Sequence, residues 1–307
     1  MNEYILQTHN ISKEYNGVKT LDDVSVSIRA GRLYGFIGQN GAGKTTLFRI
    51  IAGLSCPTSG RLSLFGASGG KELAAARRRM GSLIETPALY PDMTAYENLE
   101  IHQVRAKTKD RRAINETLEL VSLTDTGKKR AKDFSLGMKQ RLAIGAALVG
   151  DPEFLLLDEP INGLDPLGIA EMREALRRLC SERKMTILIS SHLLPELYQL
   201  ASNYIFIDRG RILEETTLSR LCEKCARHIS ITVNDTALAA SVLERDLGAS
   251  NFKAAPDGTI ELFDFVDRPE AVSKALVERG VALSRISAES ESLESYFINL
   301  IGGGERG

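Results

Sequence analysis

The sequence predicts an α/β core followed by a smaller α+β module, and three features predict it. Short, largely apolar runs at Leu33-Tyr34-Gly35-Phe36-Ile37, Phe154-Leu155-Leu156-Leu157 and Thr186-Ile187-Leu188-Ile189-Ser190 have the make-up of strands buried on both faces. A glycine-rich turn joins the first run to a helical pattern, Leu47 to Ala52, and further helical stretches separate the other two. From about Ala226 the chain changes to alternating strands and amphipathic helices. At 307 residues there is room for both parts.

Hydrophobic content of 43% with 26% charged residues is ordinary for a soluble globular chain. The net charge of −1 gives no reason to expect nucleic acid as a partner, and the basic runs Arg77-Arg78-Arg79 and Lys128-Lys129-Arg130 read as solvated helix faces. Apolar runs are strand-sized, and Met1-Asn2-Glu3-Tyr4 does not open a signal peptide. The expectation is a cytoplasmic protein, placed at a membrane only by a partner. Cys222-Glu223-Lys224-Cys225 with His228 has zinc-like spacing, but no second ligand pair follows. Residues 217–228 read as helical, which puts the two thiols one turn apart on one face, and no metal or redox role is assigned.

In chain order, residues 4–11 and 22–28 alternate as half-buried strands around a turn at Tyr15-Asn16-Gly17. Tyr15 reads equally as a platform for a nucleotide base and as a surface tyrosine beside a turn. Next comes Gly38-Gln39-Asn40-Gly41-Ala42-Gly43-Lys44-Thr45-Thr46, a phosphate-binding loop in its required strand–turn–helix setting. The glycines let consecutive N–H groups converge on phosphate oxygens, and the helix adds the positive end of its dipole. Lys44 reaches the β- and γ-phosphates, and the Thr45 hydroxyl holds Mg²⁺.

A short strand at 61–66, a helix at 71–80 and a strand at Gly81-Ser82-Leu83-Ile84 follow. Residues 94 to about 150 are helically periodic and form an insert on the core. Within it, Ser135 and Gly137 open a helix, a weak anion-binding terminus taken alone. The run 154–157 then delivers Asp158 and Glu159 at a strand's C-terminal end, where α/β sheets bind ligands. Asp158 suits Mg²⁺ through water, and Glu159 suits polarising a water for attack on the γ-phosphate. Asp165, before a helix at 167–183, and His192, after the strand at 186–190, fall near the same edge. A hairpin over 204–213 with a three-residue turn closes the core.

Taken together, residues 4–215 resemble the ATPase domain of ATP-binding cassette (ABC) proteins. The resemblance implies an antiparallel β subdomain, a helical subdomain at about 88–150, and a nucleotide-binding domain over 1–220. It implies that Tyr15 stacks on adenine, that Asn40 to Thr46 wrap the phosphates, that Glu159 is the catalytic base and that His192 senses the γ-phosphate. It also implies a head-to-tail dimer, in which Ser135, Leu136, Gly137 and Met138 of one chain meet ATP held by the other.

The chain departs from the family pattern in three places. Glu85 stands where glutamine is usual and can still ligate Mg²⁺. Leu136-Gly137-Met138 replaces Gly-Gly-Gln, and Ile161 replaces Thr or Ser. Ile84-Glu85-Thr86-Pro87-Ala88-Leu89-Tyr90-Pro91 and Phe134-Ser135-Leu136-Gly137-Met138-Lys139-Gln140-Arg141 resemble the ATPase subunits of bacitracin- and lantibiotic-type exporters. These work with separate membrane permeases. The implied function is ATP hydrolysis driving a permease that exports a peptide antibiotic or similar amphipathic compound. The alternative is a soluble cassette ATPase that remodels ribosomes or nucleic acid complexes. The tail, 226–307, reads βαββαβ, a ferredoxin-like order, with a final helix carrying Leu293, Tyr296, Phe297, Leu300 and Ile301 on one face. No chemistry is assigned to it.

Overall fold

The computed structural model describes residues 3–85, 89–105, 111–255, 257–289 and 292–302. Thr86, Pro87 and Ala88 of the exporter-like motif lie outside the described residues, as does Pro256. Strand β1 (Tyr4–Tyr15) turns into β2 (Val18–Val24) through Asn16 and Gly17, at φ 49° and 82°. That two-residue geometry matches the twist of the strands it joins. The strand expected over 22–28 is broken. Asp23 takes φ 60°, and β3 (Ser27–Arg29) pairs separately with the start of β1.

Strand β4 (Leu33–Ile37) is buried throughout and leads through the glycine-rich loop into α1 (Lys44–Ala52). Strand β5 (Ser59–Leu64) returns to β1, completing a four-stranded antiparallel sheet. Helix α2 (Gly70–Ala76) and a 3₁₀ turn at Arg77–Arg79 precede β6 (Met80–Leu83). Arg77 donates from Nε to Ile51 O (2.9 Å) and from Nη2 to Ile50 O (3.1 Å), satisfying carbonyls at the end of α1.

The insert supplies α3 (Ala95–Arg105), α4 (Arg111–Leu120) and α5 (Leu136–Leu148), which pack on one another. Then come β7 (Phe154–Leu157), α6 (Pro166–Arg183), β8 (Thr186–Ser191), α7 (Leu194–Tyr198), β9 (Asn203–Asp208) and β10 (Arg211–Thr217). The second sheet runs β10-β9-β4-β8-β7-β6, parallel except for the β9–β10 hairpin. Asp208 pairs with Arg211, so the hairpin turn has two residues, Arg209 and Gly210 at φ 46° and 77°, and not three.

Leu47, Phe48, Ile50 and Ile51 of α1 share one buried cluster with Leu6, Ile28 and Leu64 of the first sheet and Phe36, Leu156 and Leu188 of the second. Burying each such side chain contributes about 1.5–3 kcal/mol, so the helix that follows the loop is fixed between two sheets.

Contacts divide the chain into Met1–Leu218 and Ser219–Gly307. Helix α8 (Leu218–Lys224) ends before Cys225 and not at 228, because His228 begins β11 (His228–Val233). Both Cys222 and Cys225 are free of disulfides. The second unit continues with α9 (Thr236–Arg245), β12 (Phe252–Ala254), β13 (Thr259–Leu262), α10 (Pro269–Glu278), β14 (Leu283–Glu289) and α11 (Leu293–Gly302). Its antiparallel sheet has the order β12-β13-β11-β14. Ile229, Ile231, Ile260 and Leu262 face Val242, Leu243, Val272 and Leu276 of α9 and α10.

Candidate active site

Strands β4, β8 and β7 are neighbours in parallel register, with Ile37 beside Ser191 and Leu157 beside Ile189. Residues leaving these strands therefore emerge along one sheet edge, where α/β folds bind ligands. A cleft of about 270 Å³ lies there, lined by Thr20, Asn40, Gly41, Gly43, Lys44, Thr45, Thr46 and Glu159.

The loop is shaped by close backbone approach. Gly43 has φ 106°, and a Cβ there would stand 2.7 Å from Thr20 O. Gly210 has the same relation to that carbonyl, at 2.6 Å. Its N–H donates to Ala42 O (3.0 Å) and its carbonyl accepts from Asp22 N (2.8 Å). Arg211 Nη2 then pairs with Asp22 Oδ2 at 2.6 Å. The β9–β10 turn, β2 and the phosphate loop are thus one connected backbone unit.

Lys44 is 5% exposed. Its Nζ donates to Gly38 O (2.7 Å) and Gln39 O (3.1 Å) and lies 3.2 Å from Glu159 Oε1. Glu159 takes φ 48°, a rare conformation for a long side chain, with its N–H on Ser190 Oγ at 2.9 Å. Its Oε2 is 2.9 Å from His192 Nδ1. Asp158 is gripped from two sides, by Thr45 Oγ1 at 2.7 Å and Ser190 Oγ at 2.6 Å.

Lys44, Thr45, Asp158, Glu159 and His192 therefore come together, as the sequence expects. Thr20 and Ser190 join them unannounced. The register that sets Leu157 beside Ile189 also sets Asp158 next to Ser190, and no local pattern in the sequence signals it.

The other expected residues stand elsewhere. Ser135 caps α5, accepting from Met138 N at 3.3 Å. A Cβ on Gly137 would sit 3.5 Å from the Leu164 side chain, and Gln140 Nε2 donates to Asn162 O (3.2 Å), so the start of α5 lies beside the turn that ends in Asp165. Asp165 itself caps α6, accepting from Gly168 N at 2.9 Å. Tyr15 is 41% exposed, with its hydroxyl 3.3 Å from Ser55 Oγ, and does not line the cleft. Glu85, at φ 64°, directs its carboxylate to Arg49.

The ABC transporter family model matches residues 21–162. The bacitracin transport ATP-binding protein of Bacillus licheniformis is 40% identical over 303 residues, covering 99% of each chain. The chain belongs to the ABC transporter ATPase family. The lantibiotic transport ATP-binding protein of Streptococcus pyogenes is 41% identical to this cassette over 211 residues, 69% of this chain and 90% of the relative.

Among solved structures, a dimeric ATP-binding cassette in a post-hydrolysis state, bound to ADP and Pi, aligns with a TM-score of 0.63 at 25% identity, covering 69% of this chain and 98% of that one. A Clostridium perfringens subunit of an ABC transporter complex aligns with a TM-score of 0.67 at 25% identity, covering 80% and 96%. The core has the P-loop ABC ATPase fold. This ABC protein is the ATP-binding subunit of a transporter, and it hydrolyses ATP to drive transport. Similarity to transport subunits along nearly the whole chain disfavours the ribosome-remodelling alternative. No helix among the described residues is long and apolar enough to cross a membrane.

Proposed function

We propose that this cassette drives a separate membrane permease that exports a peptide antibiotic or similar amphipathic compound, and that it works at the inner face of the cell membrane. The likeness to bacitracin and lantibiotic transport proteins supports the cargo class. The observation that carries the catalytic reading is the chain of contacts Lys44–Glu159–His192 at the cleft.

Asn40, Gly41 and Gly43 offer backbone N–H groups to the phosphates, with Gly38 shaping the start of the loop and Thr46 its exit. Lys44 exchanges the Gly38 and Gln39 carbonyls for β- and γ-phosphate oxygens. Glu159 then loses one partner and accepts a proton from the attacking water, while His192 turns to the γ-phosphate.

The Thr45 hydroxyl and the Asp158 carboxylate stand 2.7 Å apart, a hard-oxygen pair that fits Mg²⁺. They would hold the ion, with Glu85 joining once it leaves Arg49. When bound, Mg²⁺ supplies neutralisation of charge on the β- and γ-oxygens. Tyr15 is assigned to the adenine.

Ser135, Gly137, Met138 and Asp165 are assigned to the nucleotide of a second, head-to-tail copy. Leu136 and Leu167 support this: they flank those residues and are 52% and 68% exposed. We read 1–220 as the cassette, with its helical subdomain at about 88–150, and 226–307 as a ferredoxin-like module, supported by the strand order of the second sheet.

The test uses Glu159→Gln, purified with ATP and Mg²⁺ from detergent-solubilised cells. A multi-span membrane protein should co-purify in stoichiometric amount. Ribosomal proteins or nucleic acid in its place would overturn the reading.

A further inference from the structure

One face of α5 is stitched to the segment that leaves β7. Gly137, Gln140 and Arg141 are spaced i, i+3 and i+4, so they share one side of the helix. Each meets a residue that follows Glu159. A Cβ on Gly137 would stand 3.5 Å from Leu164, and Gln140 Nε2 donates to Asn162 O at 3.2 Å. Arg141 Nη2 lies 3.1 Å from Glu171 Oε2 on α6. Asn162 in turn donates from its N–H to Glu159 O at 3.2 Å.

Arg141 is the strong point of this seam. It is buried, and its Nη1 also donates to the Ser122 carbonyl at 3.2 Å, in the turn after α4. Its Nε is sealed from solvent with no hydrogen-bond partner among the described residues. A guanidinium held this way depends on Glu171, because a buried charge left alone is costly. A second link from α6 to the insert runs from Arg183 to Glu116 of α4, at 3.5 Å. That pair is more exposed, so solvent screens it.

Arg141 comes six residues after Ser135, about 9 Å along the helix axis. A tilt of about 10° at the arginine would therefore move the serine by about 1.5 Å. A site that has to close on a phosphate does not tolerate such an error. Ser135 and Gly137 do not line this chain's own cleft, so the setting of α5 matters for what lies outside the chain.

We propose that Arg141 is a positioning residue: locked to Glu171, it sets the tilt of α5 and presents Ser135 and Gly137 to the nucleotide of a second copy. This rests on the head-to-tail reading given above.

The test takes the full chain carrying Glu159→Gln as parent and adds Glu171→Gln, alone or with Arg141→Met. Glu171→Gln by itself leaves the guanidinium buried without its anion and should lower the urea midpoint. The double variant removes both charges and keeps the bulk, so its midpoint should return most of the way to the parent. Pairing should not return with it. With ATP and Mg²⁺, the dissociation constant between copies, from sedimentation, should rise about tenfold in both variants, because neither holds the helix. Binding of a fluorescent ATP analogue, read at concentrations too low for pairing, should change less than about twofold.

A double variant that pairs as tightly as the parent would overturn the proposal, since pairing would then follow stability and not the latch. So would nucleotide affinity falling in step with pairing, which would place the effect in the chain's own cleft. A parent that does not pair with ATP would remove the head-to-tail reading itself, and the proposal with it.

Discussion

Lys44 Nζ and Glu159 Oε1 lie 3.2 Å apart, the phosphate-loop cation against the carboxylate at the end of β7. Each compensates the other, with Lys44 almost fully buried, so removing either one leaves the opposite charge uncompensated at the cleft. The two deletions should therefore act in opposite directions on binding.

Glu159→Gln removes negative charge from the cleft. ATP should bind as tightly as in the wild type or more tightly, while hydrolysis slows about 10²- to 10⁴-fold. Calorimetric binding and single-turnover phosphate release measure the pair. Equal rates would take Glu159 out of its role.

Lys44→Ala does the reverse, leaving Glu159 without its cation. ATP affinity should fall by roughly a hundredfold or more, about 3 kcal/mol, from the loss of charge-assisted contacts and the added repulsion. Retained affinity in the same calorimeter would sink the phosphate-loop assignment.

Ser190→Ala strips Asp158 of one hydrogen bond and the Glu159 N–H of the Ser190 hydroxyl, at a residue held at φ 48°. An unfolding free energy lower by about 1–3 kcal/mol is expected in urea titrations. The Mg²⁺ concentration giving half-maximal hydrolysis should rise as well. No change in either would mean that the hydroxyl contributes nothing to the site.

Gly210→Ala and Gly17→Ala form a matched pair. Both glycines have positive φ, 77° and 82°, but a Cβ meets Thr20 O at 2.6 Å in the first and open space in the second. Gly17→Ala should cost about 1 kcal/mol from conformation alone. Gly210→Ala should cost about 1–3 kcal/mol more and also weaken ATP binding, because β2 and the loop must shift. Equal costs in thermal melts would deny the collision.

The hydrogen bond from Lys19, and then that from Arg211, hold the Asp22 carboxyl below its usual 3.8. A depressed acid stabilises the folded chain at pH above its unfolded value, and that contribution fades as pH falls through the folded one. Asp22→Asn should therefore lower the urea midpoint at pH 7, with the gap to wild type closing below about pH 3.8. A gap that persists in acid would assign the effect to something other than this charge.

What could be read from the sequence depended on whether the determinant was local. Leu33–Ile37, Phe154–Leu157 and Thr186–Ser190 are self-evident strands, because burial on both faces leaves few polar positions. The loop glycines and Lys44 announce their chemistry within nine residues.

Val24-Ser25-Val26-Ser27-Ile28 misled because it alternates cleanly, yet the strands on its two sides pair with different parts of β1. Ser190 was invisible because its importance comes from register with β7, which no local pattern encodes. The partner of Glu85, thirty-six residues away on α1, was hidden for the same reason. Helix α7 was masked by its brevity, five residues with a proline in the first turn.

The Gly210 amide donates to Ala42 O inside the phosphate loop, although Gly210 itself belongs to a hairpin turn far along the chain. Its hydrogen can exchange with heavy water only when that carbonyl lets go. One backbone proton thus keeps time for the loop's opening, readable without a probe in the cleft, and a nucleotide that closes the loop would slow that clock.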